Sequence, residues 1–594
     1  MKLIVPHTGE LKAVDARLIR LAEFLGVRCE PLRLDKQVQQ RAEYIERAAP
    51  DQSSCLVVNP QVMREWVGED ALPAELVSCL GSRFPYLLVH ALTPDPFVAG
   101  MIAALSNGKL QSVKPVADAA QPYEISASSS DICGPFSGLS FGPINAVNDR
   151  VLAVGPDDST LRKLISIGGS PLMAAVRWDK TEMLFLASED TADVNAEVGR
   201  APLSDYFSRL MPYAMALRHI FGEACWHPCE SHASIIIDDP LLRRDYGYLN
   251  FDSLLRLMEE HNFHTTIGFI PHNYRRNSAP IIRMFREKAH RLSICFHGND
   301  HTDAELASTG TAHLNTMIGI AEERMKVHEQ TTGLHCDRVM VFPQEHFSVE
   351  AMEVLKSRNF HAAVNSRPHP RGRSVPLRIA DLAQPAVLRY GGFPLFLRKY
   401  VKDVESQDIA FNLFFGRPVL IVEHHHTFKH PGSLLEAVQK VNSMAPGISW
   451  CNLETAVDNS ILRRRRPDGT IQARAYSSNV RITNDSASVE RFSVEWGRPS
   501  QSPLLEQVLE EGTPYPGFEA DNSGIRLSVE LAPGDSRTFS LVYRNGHAGP
   551  ARLGLRWNVQ AFLRRRLSEV RDNHLSKNPR VLSAAQSLLR GFRS

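Results

Sequence analysis

From residue 232 onward, short β-branched runs alternate with helical stretches, and this alternation constrains the fold more than any other feature of the sequence. The strand-like runs are "ASIIID", "HTTIGFI", "LSICFH", "RVMVFP", "HAAVN", "PVLIVE" and "GISW". Helix-period segments fall near 250–262, 279–290, 311–330, 348–358 and 433–444. Continuous apolar runs of this kind suit strands buried on both faces, as in a parallel sheet. About seven strand–helix units over about 230 residues predict parallel strands curled into a barrel with helices outside it.

At 594 residues the chain exceeds what one hydrophobic core can hold, so several domains are expected. Residues 1–110 read as a doubly wound α/β domain. "KLIV" is followed by Leu11, Val14, Leu18, Leu21 and Leu25 at helical spacing, a stop at Gly26, and further strands at "VRCEPLRL", "CLVVN" and "PYLLVHAL". Neither GxGxxG nor GxxxxGK[ST] occurs there, so a structural or docking role is expected rather than nucleotide binding. Residues 111–228 form a β-rich α/β extension that closes with a helix over 206–221, and 229–462 hold the barrel. Over 463–550 the pattern changes to period two between turn residues, which predicts a β-sandwich. The last segment, 551–594, reads as a basic helical tail with ten Arg or Lys against Glu569 and Asp572. Such a tail packs on its own domain as a solvated helix; a membrane-surface or partner contact is the second reading.

Charge and targeting signals narrow the partners. Sixty-seven Lys and Arg against 66 Asp and Glu leave a net charge of +1, and no basic stripe is interleaved with aromatics, so no nucleic acid is expected. The opening "MKLIVPHTGELK" has too short an apolar run for a signal peptide, and no run is long enough to span a bilayer. Nine cysteines, an odd number scattered from Cys29 to Cys451, fit a reduced, cytoplasmic protein.

Parallel barrels build their sites at the carboxyl ends of their strands. Those ends carry Asp238 and Asp239, then His297 with His301 in "HGNDHT", then "EHHHTF" from Glu423 to Phe428. Two histidines four residues apart plus a carboxylate from another strand make three ligands for one divalent metal and leave positions open for water and substrate. The remaining aspartate is then free to accept a proton. The pair is not a zincin motif, because Gly298 stands where HExxH requires Glu. "CWHPCESH" gathers Cys225, His227, Cys229 and His232, but Cx₃C without a second thiol pair favours buried linker thiols over a structural zinc.

The Asp-Asp doublet, the His-x-x-x-His pair and a late strand ending in His together resemble the polysaccharide deacetylase superfamily, metal-dependent hydrolases of N-acetylated sugars on a (β/α)₇ barrel. "IDDP" and "HGNDHT" are most similar to its divergent exopolysaccharide branch, which includes the galactosaminogalactan deacetylases. The resemblance covers about 232–455. It implies Asp238 as general base, Asp239, His297 and His301 as ligands of a divalent metal, zinc first, and a general acid among His424, His425 and His426, with His424 and His425 foremost. The family's third motif is matched only in part by "VFPQEHFS": Pro343 is present, Arg338 lies upstream, and a backbone N–H near Gln344 stands in as oxyanion donor. Arg389 and Arg398 are the candidates for substrate or orienting roles. The implied reaction removes N-acetyl groups from an amino-sugar polysaccharide or its precursor. Two rival readings stand beside it: a glycoside hydrolase pairing Asp238 with Glu423, and a catalytically idle carbohydrate-binding or assembly protein.

Overall fold

The strand His232–Asp238 is an inner strand of a curled sheet. It pairs in parallel with Thr265–Phe269 on one side and Val419–Glu423 on the other. Parallel pairing continues from Thr265–Phe269 through Leu292–His297, Cys336–Val341 and Ala362–Asn365 to Phe393–Leu397. The chain runs straight on into Lys399–Tyr400, which pairs in parallel with Val419–Glu423. One segment, 393–400, therefore meets both ends of the row, and the sheet wraps around one interior. The computed structural model describes residues 1–35, 37, 40–48, 54–68, 71–156, 160–373, 375–497, 505–522, 524–544 and 554–575.

The helices fall where the periodicity put them: Phe251–His261, Ala279–Glu287, Thr311–Thr332, Val349–Ser357 and Gly432–Met444, with Ser406–Phe415 in addition. One strand does not. "GISW" supplies only Ser449–Trp450, which pairs with the first two residues of His232–Asp238. The place expected for it belongs to 393–400, which the run-and-turn pattern hides because Pro394 interrupts it and Gly391-Gly392 precede it. The sheet tolerates Pro394 because the parallel ladder with Ala362–Asn365 begins one residue later, at Leu395.

Alternation along these strands sorts two cores. Ile236, Cys295, Val339, Val341, Val364, Phe396, Leu420 and Val422 share one buried cluster, the sheet's interior. Ile235, Ile237, Ile267, Ile294, Met340, Leu395 and Ile421 belong to another, packed with the surrounding helices. Side chains two residues apart share a face, so continuing the interior set to the strand ends names Asp238, His297, Arg398 and His424.

Strands from 1–110 and from 111–228 join one nine-stranded sheet. Leu3–His7, Cys29–Arg33, Cys55–Val58 and Tyr86–Val89 are parallel to one another, and Thr181–Leu186 continues beside Tyr86–Val89 before the order turns antiparallel. Beyond 460, five strands that His227–Pro228 joins as a sixth, and a separate four-stranded sheet, share a core that includes Val480, Phe492, Val494 and Phe539. The tail forms a helix, Leu555–Val570, and one further turn, Arg571–Leu575, while 551–553 and 576–594 lie outside the described residues. No described helix is long and apolar enough to cross a membrane.

Candidate metal centre and its surroundings

Asp238 ends its strand facing inward and is buried. Arg398, in the short break between Leu397 and Lys399, reaches both of its oxygens, with Nη1 at 3.0 Å from Oδ1 and Nη2 at 2.7 Å from Oδ2. Burial alone would raise the Asp238 carboxyl, but Arg398 and His297 outweigh it and hold the group below its ordinary value. Gly268 on the neighbouring strand makes this fit: a Cβ there would stand 2.7 Å from Asp238 Oδ1. His424 also acts electrostatically on Asp238. Its ring lies nearly parallel to those of Tyr400, at 6.2 Å, and His426, at 5.6 Å.

Asp239 would face outward if the strand simply continued. Instead its backbone adopts φ +82°, while its N–H still donates to the Gly268 carbonyl at 3.2 Å. That left-handed turn brings Oδ1 to 3.5 Å from His297 Nε2 and 3.3 Å from His301 Nε2. His301 is itself left-handed at φ +53°, as are Gln344 and Glu345 after the neighbouring strand, at +56° and +60°. Such conformations cost a non-glycine residue on the order of 1–3 kcal/mol each and cluster where function requires them.

The loop carrying His301 is organised by a buried carboxylate that the sequence reading did not single out. Glu305 accepts from the backbone N–H groups of Asn299, Asp300 and Thr302 at 2.8, 3.0 and 3.3 Å. Gly298, at φ +63°, is required beneath it, since a Cβ would fall within 2.4 Å of both Glu305 and Pro343.

One ligand atom each from Asp239, His297 and His301 can lie within 4.8 Å of the others. Their chemistry suits a cation. His297 Nδ1 donates to the Val341 carbonyl at 3.1 Å, which leaves Nε2 facing Asp239. Asp239 Oδ1 is buried without a hydrogen-bond donor. Burial brings His301 down to about 4, against the pull of Asp239, so its imidazole is neutral and can ligate.

The C-terminal helix lies over this end of the sheet, which nothing in the sequence indicated. Trp557 Nε1 donates to Asp300 Oδ2 at 2.8 Å, beside His301. The buried Arg565 helps to lower the Asp239 carboxyl, behind the two histidines. Glu569 pairs with Arg276 and, at 3.5 Å, with Arg243. Asp572 accepts from the Tyr246 hydroxyl at 2.8 Å and stands 3.6 Å from His425 Nε2, while Asn573 accepts from the Gly247 N–H at 2.7 Å. His425 is thus tied to the tail, whereas His424 continues the inward set toward Asp238.

The remaining candidates stand elsewhere. Arg338 pairs with Glu322 at 2.9 Å and lies over the Phe360 ring, and Arg389 lies 3.5 Å from Asp381. Glu423 accepts from the His424 N–H and the Thr427 hydroxyl, within its own turn. In the Cys225–His232 stretch, Cys225 is buried, which raises its thiol to about 12, and Cys229 is exposed. His227 Nδ1 is occupied by the Cys225 carbonyl at 2.9 Å.

No family model and no curated protein matches the sequence. Solved structures do resemble it. That of Agd3, described as a novel carbohydrate deacetylase, aligns with 91% of this chain and 98% of its own, at 10% identity and a TM-score of 0.46. A family 4 carbohydrate esterase from Streptomyces lividans, in complex with acetate, covers 37% of this chain and 92% of its own, at 12% identity and a TM-score of 0.23. The Bc1960 peptidoglycan N-acetylglucosamine deacetylase covers 39% and 90%, at 15% identity and a TM-score of 0.24.

Proposed function

We propose that the protein is a divalent-metal-dependent hydrolase that removes N-acetyl groups from an amino-sugar polysaccharide or its precursor, in exopolysaccharide metabolism. The observation that carries this reading is the pairing of two aspartates with different surroundings. Asp239 turns an unpartnered oxygen toward His297 and His301, and Asp238 beside it is held ionised by Arg398. Asp239, His297 and His301 are the residues that would hold the cation, and two imidazoles with one carboxylate suit zinc.

When bound, the cation supplies Lewis acidity toward the amide carbonyl and the attacking water. Asp238 accepts the proton of that water; each of its oxygens keeps lone-pair capacity beyond the bond from Arg398. His424, inward-facing and beside Asp238, donates the proton that the departing amine requires. The backbone turn at Gln344 and Glu345 supplies the N–H for the developing oxyanion. Arg398 and Tyr400 are positioning residues, one for Asp238 and the other for the His424 ring. Glu423 is engaged within its own turn, which argues against a glycosidase that pairs it with Asp238. The outward face of the tail, where Phe562, Leu563 and Leu567 are exposed beside Arg566, supports an additional contact with an anionic membrane surface.

The test is acetate release from N-acetylated glycans by metal-replete protein, beside Asp238→Asn with equal metal content. Release by the parent and its loss in the variant are expected. An Asp238→Asn protein that releases acetate at the parent rate would overturn the assignment.

A further inference from the structure

A second cleft opens at the same end of the curled sheet. It encloses about 610 Å³ among Gly199–Ala201, the turn after Cys336–Val341 and the turn after Ala362–Asn365, a volume in the range of small-molecule sites. Its polar lining is Arg200, Glu345, His346, Arg367, His369 and Arg371. Three guanidinium groups face one carboxylate, and that carboxylate is already taken, since Arg367 Nε meets Glu345 Oε2 at 2.8 Å. The acid nearest Arg371 is Asp303, at 3.9 Å. The Nδ1 atoms of His346 and His369 are buried without a hydrogen-bond partner. Burial lowers His346 below an ordinary imidazole, and Arg371 and Arg367 lower it further against Asp303 and Glu345, so the field at that ring is positive.

Side chains connect the cleft to the candidate site. Burial and the Glu345 carboxylate in its wall raise the Tyr400 hydroxyl, and the Tyr400 ring lies along that of His424 with centroids 6.2 Å apart. A ligand held by Arg367 and Arg371 would thus bind on the same side of the site as the group assigned to protonate the amine.

We infer that this cleft is a substrate subsite for an oxyanion, a carboxylate or a phosphate, carried on the sugar next to the acetamide that is cleaved. The inference rests on the deacetylase reading of the neighbouring site. Arginine's planar fork matches both anions with paired hydrogen bonds. The carboxylate would come from a uronic acid in the polymer, and the phosphate from a nucleotide- or lipid-linked precursor.

Calorimetric binding to the Asp238→Asn full-length protein tests it without turnover. The probes are a tetrasaccharide alternating glucuronate with N-acetylglucosamine, UDP-N-acetylglucosamine, and neutral chitotetraose. The anionic probe of the right source is expected to bind about tenfold more tightly than chitotetraose, with the advantage shrinking as ionic strength rises. Preference for the tetrasaccharide names the uronate source, and preference for the nucleotide sugar names the phosphate source. Arg367→Ala/Arg371→Ala in the same background is expected to erase the preference. Its melting temperature should hold, because these side chains are 72% and 45% exposed. Equal binding of charged and neutral probes, or a preference that survives the double substitution in a folded protein, overturns the subsite. Absence of acetate release by the parent would instead sink the deacetylase reading and leave the binding result standing.

Discussion

Clusters of histidines and carboxylates stand at both ends of the same curled sheet, and the one formed by Asp239, His297 and His301 is built like a metal site. At the carboxyl end these three come within ligand distance of one another, as do Glu423, His424 and His426, where Glu423 already accepts from the His424 N–H and the Thr427 hydroxyl. At the amino end, His335, Asp337 and Glu454 do the same, as do His361, Glu454 and Asp458. The amino-end groups are satisfied. Asp337 accepts from the Leu453 N–H and Asn452 Nδ2, each at 3.1 Å; His361 meets Asp458 at 3.0 Å; and His335 meets Glu454 at 2.8 Å. The Glu454 hydrogen bond raises His335, while burial raises the Asp337 carboxyl beside it. The carboxyl-end cluster has unspent capacity: an orphaned carboxylate oxygen, a neutral His301, and two residues held in left-handed backbone. Proximity of ligand types is therefore a poor guide. Unsatisfied buried atoms and tolerated strain separate a prepared site from a structural network.

The contrast can be broken in four ways. The largest effect is expected for Asp238→Asn, with acetate release down about 10²–10⁴-fold at unchanged metal content. Next, Asp239→Ala or His301→Ala should abolish bound metal in elemental analysis, while His335→Ala leaves it intact; metal lost equally from both ends would dissolve the distinction. Arg398→Ala leaves a buried charge uncompensated and should destabilise the fold by about 3–5 kcal/mol in denaturant titration. Without the guanidinium, burial raises the Asp238 carboxyl, so the acid limb of the rate profile should move to higher pH. The smallest effect concerns the tail. Burial raises Asp572, but His425, Arg571 and Tyr246 outweigh it and hold the group down at about 2. Its contribution to holding the tail is fully present above the unfolded value of about 3.9 and is lost as pH falls toward 2. Trp557 fluorescence should report that release, and Asp572→Asn should show no such transition.

Much of the site was legible because strand ends carry it. Asp238, Asp239, His297 and His301 follow β-branched runs whose burial on both faces betrays a parallel sheet. The roles of adjacent residues were less legible: alternation separates Asp238 from Asp239, and only the left-handed turn at Asp239 reunites them. Arg398 stood beside Arg389 as a candidate orienting residue, but its place at a strand end was hidden, because Pro394 disguises the strand and with it the inward step from Phe396 to Arg398. Glu305 gave no signal, since its task is to accept N–H groups from a loop whose path periodicity does not reveal. Asp572 lies 326 residues from the tyrosine that it meets, a separation beyond any local pattern.

That separation has a consequence in time. Glu423 closes the last long strand of the curled sheet, and Asp572 follows it about 150 residues later, so at ribosomal speeds about 7–30 s pass between them. In that interval the three ligand residues exist without Trp557, Arg565 or Asp572 above them. Under the proposed metal reading, a cation arriving during synthesis would meet Asp239, His297 and His301 before the C-terminal helix lies over them.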